Sequence, residues 1–167
     1  MTTDNLFIPD NIPDSAKMLS SEKYTWLAYL LVVPILAIAY AGIVIRRPYV
    51  VGIAFNRIAF FIGVGLSIVF LVLHELIHAV CCPRDTTVFV YLTSAGIGCV
   101  PACGLKKNRY LLVALMPTIV LGIIPFIIWI CFPGMNVIIS SIMFAFSIGS
   151  LSMCVGDIYN AFLAALK

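Results

Sequence analysis

Charge is scarce in this sequence. Only 10% of the residues are charged while 63% are hydrophobic, against about a quarter charged in an average soluble domain. A water-soluble fold of this length would have too little polar surface to cover itself, so the reading is a polytopic membrane protein built as one compact domain. The ten basic residues form no basic tract, which argues against a nucleic-acid partner. Cysteine occurs six times without a CxxC pair. Cys81, Cys82, Cys131 and Cys154 lie in or beside apolar runs and read as packing residues, and no disulfide is expected. Histidine is rarer still, with two in the whole chain, and no internal repeat is present.

What is abundant is long apolar sequence. Residues 1–23 are polar, carry Pro9 and Pro13, lack the apolar core of a cleavable signal peptide, and are expected to form a flexible tail. Residues 24–45 hold no charge at all, a run of 22 that Arg46, Arg47 and Pro48 end; about 20 such residues cross a bilayer. A second run spans 58–82, its only ionisable side chains besides cysteine being His74, Glu75 and His78. A third, 110–132, carries no charge, and its Pro117 and Pro125 predict kinks. A fourth, 137–166, holds the single charge Asp157 and is long enough to tilt or break near Gly156.

Between the second and third runs the composition changes. Thr86 to Leu92 is dense in β-branched and aromatic residues, Ser94-Ala95-Gly96 signals a turn, and Ile97 to Gly104 reads as a returning strand. The expectation is therefore an all-α integral membrane domain over 24–167, with four transmembrane helices and a small β-hairpin at about 86–104 between the second and third. Lys17, Lys23, Arg84, Lys106, Lys107, Arg109 and Lys167 fall on one side of that arrangement, and Arg46, Arg47 and Arg57 on the other. Basic residues favour the cytoplasmic loops, which puts both termini and the hairpin in the cytoplasm and makes Arg46 and Arg47 topology determinants.

The chemistry concentrates in His74-Glu75-Leu76-Ile77-His78. On a helix, imidazoles at i and i+4 lie about 6 Å apart along the axis and about 40° apart around it, so both can reach one zinc ion. The glutamate next to the first histidine then stands beside a water in an open metal position. Catalytic zinc takes three protein ligands, and this motif supplies two. No third histidine exists, and the only other acid outside tails and loops is Asp157.

Depth supports Asp157. The second and fourth runs point the same way, since one complete span separates them. His74 lies 16 residues into its run and Asp157 lies 20 into its own, an offset of about 6 Å at 1.5 Å per residue. Cost supports it too, because a carboxylate at mid-membrane costs at least about 2.5 kcal/mol unless a partner compensates. A helix-packing hydrogen bond to Asn160 or Tyr159 is the other use open to Asp157.

With these residues in view, the chain resembles a known group. His74-Glu75-Leu76-Ile77-His78-Ala79-Val80 on an apolar helix, a β-rich loop, the segment Arg109 to Pro117, and Gly156-Asp157-Ile158 on the last helix follow in the order seen in the bacterial "putative zincin peptidase" membrane family. That family looks like a compact relative of the site-2 proteases, and the similarity covers roughly Ile58 to Leu166. The resemblance implies a zinc cofactor held by His74, His78 and Asp157, Glu75 as catalytic base, and a place in the bacterial cell membrane. The function expected is a membrane-embedded zinc metalloprotease cutting a membrane protein or peptide substrate in or near the bilayer. The hairpin's exposed edge would hold the substrate by strand addition. A catalytically silent metal-binding membrane regulator is the alternative reading.

Overall fold

The computed structural model describes residues 30–47, 55–93, 96–102 and 104–166; the expected tail at 1–23 and the turn residues Ser94 and Ala95 lie outside the described residues. Helix α1 runs Val32–Arg46. The next run, expected as one helix over 58–82, is instead two: α2 (Arg57–Val69) and α3 (Leu71–Cys81), which meet at Phe70 with a 40° bend. One cause lies a turn earlier. The Ser67 hydroxyl donates to the Val64 carbonyl at 2.7 Å, a back-bond that competes with the helical ladder and bends it. Asn56 starts α2, its side chain accepting from the Ala59 amide at 3.0 Å.

The hairpin is present. Strands β1 (Val88–Thr93) and β2 (Gly96–Pro101) pair antiparallel, in a register that sets Val90 opposite Cys99 and Thr93 opposite Gly96. β2 packs on α3, so the hairpin sits beside the helix that carries both histidines.

Helix α4 (Lys107–Pro117) passes through a π-helical turn, Thr118–Ile123, into α5 (Ile124–Cys131). The kinks expected from Pro117 and Pro125 are absorbed here. The Ile124 amide reaches the Ile119 carbonyl five residues back, and this wider turn accommodates prolines that cannot donate. Lys107–Cys131 thus remains one apolar span of 25 residues.

Helices α6 (Val137–Met153) and α7 (Val155–Leu166) are bent by 48° at Cys154. The break expected near Gly156 therefore falls two residues earlier. Gly156 lies inside α7, and a methyl group there would meet nothing, so it serves no close backbone approach.

α6 is the central helix, packed against α1, α2, α5 and the π-turn. Its contact with α2 is tight because Gly63 has no side chain: a Cβ there would lie 2.5 Å from the Ile142 carbonyl oxygen. Phe126, Trp129 and Phe144 form the aromatic core with Ala39, and the Trp129 indole donates to the Ser140 hydroxyl at 2.9 Å. Arg46 belongs to this core. It is 3% exposed, lies 4.4 Å over the Trp129 ring, and donates from Nη2 to the carbonyls of Phe132 and Pro133. The loop charge expected from sequence is thus spent stacking on the core and capping α5.

By length and composition, Lys107–Cys131 is the one helix among the described residues able to cross a membrane alone, and the number rises to three if each bent pair is one span. The described part of the first run, α1, is apolar but 15 residues long. Large apolar side chains cover the outer faces of these helices, among them Ile58, Phe61 and Val80, each more than 70% exposed.

Candidate metal centre

α3 follows the bend at Phe70 and turns one face inward, burying His74 and His78 and leaving the intervening Leu76 exposed. The two rings meet edge to face, with their Nε2 atoms 3.0 Å apart. The other nitrogen of His78, Nδ1, lies 2.9 Å from the Val113 carbonyl on α4. A carbonyl can only accept, so Nδ1 carries the proton and Nε2 of the neutral ring presents a lone pair.

Asp157 arrives from the first turn of α7. Its Oδ2 lies 2.9 Å from His74 Nε2 and 3.4 Å from His78 Nε2. The packing of α7 on α4, and of α4 on α3, brings it there. At the far end of α7 the Lys107 ammonium donates to the Ala165 carbonyl at 2.7 Å, which ties α7 to the start of α4. That carboxylate oxygen faces the two histidines.

The three inward atoms are thus two imidazole nitrogens and one carboxylate oxygen, mutually 2.9–3.4 Å apart. Three such atoms this close need either a proton on one nitrogen or a cation between them. Ligands at 2.0–2.1 Å in a tetrahedron stand about 3.3 Å from one another, so the spacing and the N, N, O donor set fit zinc. Glu75 stands just outside, with Oε1 4.0 Å from His74 Nε2, close enough for its carboxylate to share a ligand cluster with both histidines. It neighbours the three atoms without completing their triangle.

Cys154 adds a contact that its reading as a packing residue missed. Its Sγ lies 3.6 Å from Nδ1 of His74, and His74, Cys154 and Asp157 form a second group with metal-holding geometry. The sequence signal was its position three residues before Asp157, which puts both on one side of a helix. The Val113 carbonyl carried no such signal. Beside His74, Ser67, Leu71, Leu121, Ser150 and Met153 border a cavity of ≈ 10 Å³, room for about one water.

On β2, Cys99 is half-buried, and its thiol is pushed up to about 11, first by burial and then by the neighbouring Cys82 sulfur and Glu75 carboxylate. The hairpin therefore comes close to the carboxylate of the motif.

Residues 67–166 match the family model described as "Putative zincin peptidase". No curated protein and no solved structure matches the chain.

Proposed function

Because this chain belongs to the "Putative zincin peptidase" family, we propose that it is a membrane-embedded zinc metallopeptidase, akin to the site-2 proteases, that hydrolyses peptide bonds of membrane proteins or peptides in or near the bilayer. The observation that carries this reading is the meeting of His74 Nε2, His78 Nε2 and Asp157 Oδ2 within 3.4 Å of one another, with Glu75 alongside.

His74, His78 and Asp157 would hold the metal. Bound zinc polarises the substrate carbonyl and lowers the pKa of water to about 7. The protein's own groups do the rest. The Glu75 carboxylate takes a proton from the attacking water and delivers it to the departing amine. Val113, by accepting from His78 Nδ1, fixes that ring in the tautomer whose Nε2 is free to bind. Packing among α3, α4 and α7 supplies rigidity, since each ligand sits on a helix rather than a loop.

Four spans suit the composition: the apolar run 24–45, α2 with α3, α4 through α5, and α6 with α7. Their apolar outer faces suit lipid, and the basic residues favour termini and hairpin in the cytoplasm. A transmembrane substrate must unwind before its peptide bonds are accessible, and an outer strand edge of the hairpin is suited to receive the extended segment.

The test is metal analysis and cleavage of a membrane-anchored reporter peptide by the purified chain in proteoliposomes. Wild type should hold one zinc and cut. Glu75→Gln should keep the zinc and lose about 10²–10⁴-fold in rate, the range for a positioned general base. A wild-type chain that holds zinc and leaves every membrane reporter intact would favour a catalytically silent metal-binding regulator.

A further inference from the structure

The imidazole of His74 is contacted at both nitrogens. Nε2 faces Asp157 Oδ2 and His78 Nε2, and Nδ1 faces Cys154 Sγ at 3.6 Å. Cys154 is fully buried, at 0% exposure, and lies in the break between α6 and α7. We infer that Cys154 is the positioning residue of His74: its thiol holds the ring at Nδ1 so that the Nε2 lone pair faces the metal position. This rests on the metallopeptidase reading and names a residue of that same site.

The argument is one of proton placement. A neutral imidazole carries one N–H, and the nitrogen that binds metal cannot be the one that carries it. With Nε2 as ligand, the proton sits on Nδ1, inside a buried site where an unpaired donor is destabilising. Cys154 Sγ is the acceptor within reach. Without metal, the proton moves to Nε2 and donates to Asp157 Oδ2 at 2.9 Å. The thiol then turns donor, its S–H pointing at Nδ1.

A thiol can play both parts, whereas the carbonyl that orients His78 can only accept. His78 is therefore fixed in one tautomer and His74 is free to take either. The location of Cys154 matters as well. The bend that carries Asp157 to the histidines also carries the group that orients one of them. Sγ meets Nδ1 while Asp157 Oδ2 and His78 meet Nε2, so Cys154 contacts the nitrogen the triad leaves unused; its sulfur also lies near enough to the carboxylate to share a metal with His74 and Asp157, and the cobalt spectrum, which reports thiolate ligation, separates the two roles.

The experiment compares the full chain in detergent with its Cys154→Ser and Cys154→Val variants. Zinc affinity is read by chelator competition and ligand geometry by the absorption spectrum of the cobalt-substituted protein. Val, about one methyl group bulkier than the thiol, neither donates nor accepts, and should weaken zinc binding by about 10–100-fold, the range for losing an orienting partner. Ser restores a donor and acceptor and should stay near wild type in affinity and spectrum. If Val binds zinc as tightly as wild type, or if Ser and Val fall together, the inference is overturned. Should Val fail to fold, nitrogen NMR of histidine-labelled, zinc-loaded wild type decides. A protected Nδ1–H on His74 supports the inference, and a freely exchanging one overturns it. A wild-type chain that takes up no zinc overturns the metallopeptidase reading itself, whereas zinc-binding wild type with an unaffected Val variant removes only the role of Cys154.

Discussion

Asp157 Oδ2 lies 2.9 Å from His74 Nε2, although the two residues belong to helices α7 and α3, which are far apart in the chain. Asp157 reaches the same distance range from His78, at 3.4 Å, so one carboxylate oxygen serves both rings. A hydrogen-bonding role and a ligand role for this carboxylate have different consequences.

Asp157→Ala should lower zinc affinity by more than about 100-fold, the upper range for loss of an orienting partner alone. Metal content after dialysis against a graded chelator series measures it. Retention of zinc at wild-type affinity would reduce Asp157 to a helix-packing role.

Gly63 lets α2 approach the backbone of α6, where any Cβ would sit 2.5 Å from the Ile142 oxygen and 2.8 Å from the Ala145 Cβ. Gly63→Val should destabilise the domain by about 1–3 kcal/mol, the usual cost of overpacking. The readout is the midpoint of thermal unfolding in detergent. Gly156→Ala, where a methyl meets nothing, is the control and should leave the midpoint unchanged.

The Cys99 thiol, raised to about 11 by burial and by the neighbouring Cys82 sulfur and Glu75 carboxylate, stays protonated through neutral pH. Only the thiolate reacts with alkylating agents. A rise of two units means roughly a hundredfold less thiolate at pH 8 than for a thiol titrating at 9. Iodoacetamide labelling, followed peptide by peptide, should still be climbing above pH 10. Glu75→Gln removes one negative charge and should shift the curve to lower pH. A wild-type curve that levels near pH 9 would contradict the placement of Cys99.

Adjacent residues of an antiparallel strand point their backbone donors to opposite edges, so of Phe89 and Val90 one faces β2 and the other the outer edge. Proline at either position should reduce reporter cleavage while zinc stays bound, if a strand edge receives the substrate. Equal turnover in wild type and both variants would remove the hairpin from substrate binding.

Arg46 joins α1 to the end of α5 through two carbonyl bonds and its stacking on Trp129. Arg46→Lys keeps the charge but loses the planar fork. It should lower thermal stability by about 1–3 kcal/mol without changing zinc content, and thermal unfolding in detergent with metal analysis checks both.

The sequence by itself supplied the candidate residues of the site and the mostly helical class of the fold. Two histidines, one motif glutamate and one aspartate in apolar surroundings left few ways to arrange a metal centre, because an ionisable group in such a setting demands a partner. The β-branched stretch from Thr86 to Leu92 was equally legible, since strand propensity is a local property. The tertiary structure alone decided where the helices bend and what stands behind the ligands. Pro117 and Pro125 marked a kink and the length of the last run a break, but that the first became a π-turn, and that the breaks fall at Phe70 and Cys154, was visible only in the fold. The Val113 carbonyl as partner of His78 is the same case: every residue has a carbonyl, and only the approach of α4 to α3 selects one. Arg46 shows the limit from the other side, because its charge was plain in the sequence while its burial over Trp129 came from the meeting of α1 with α5.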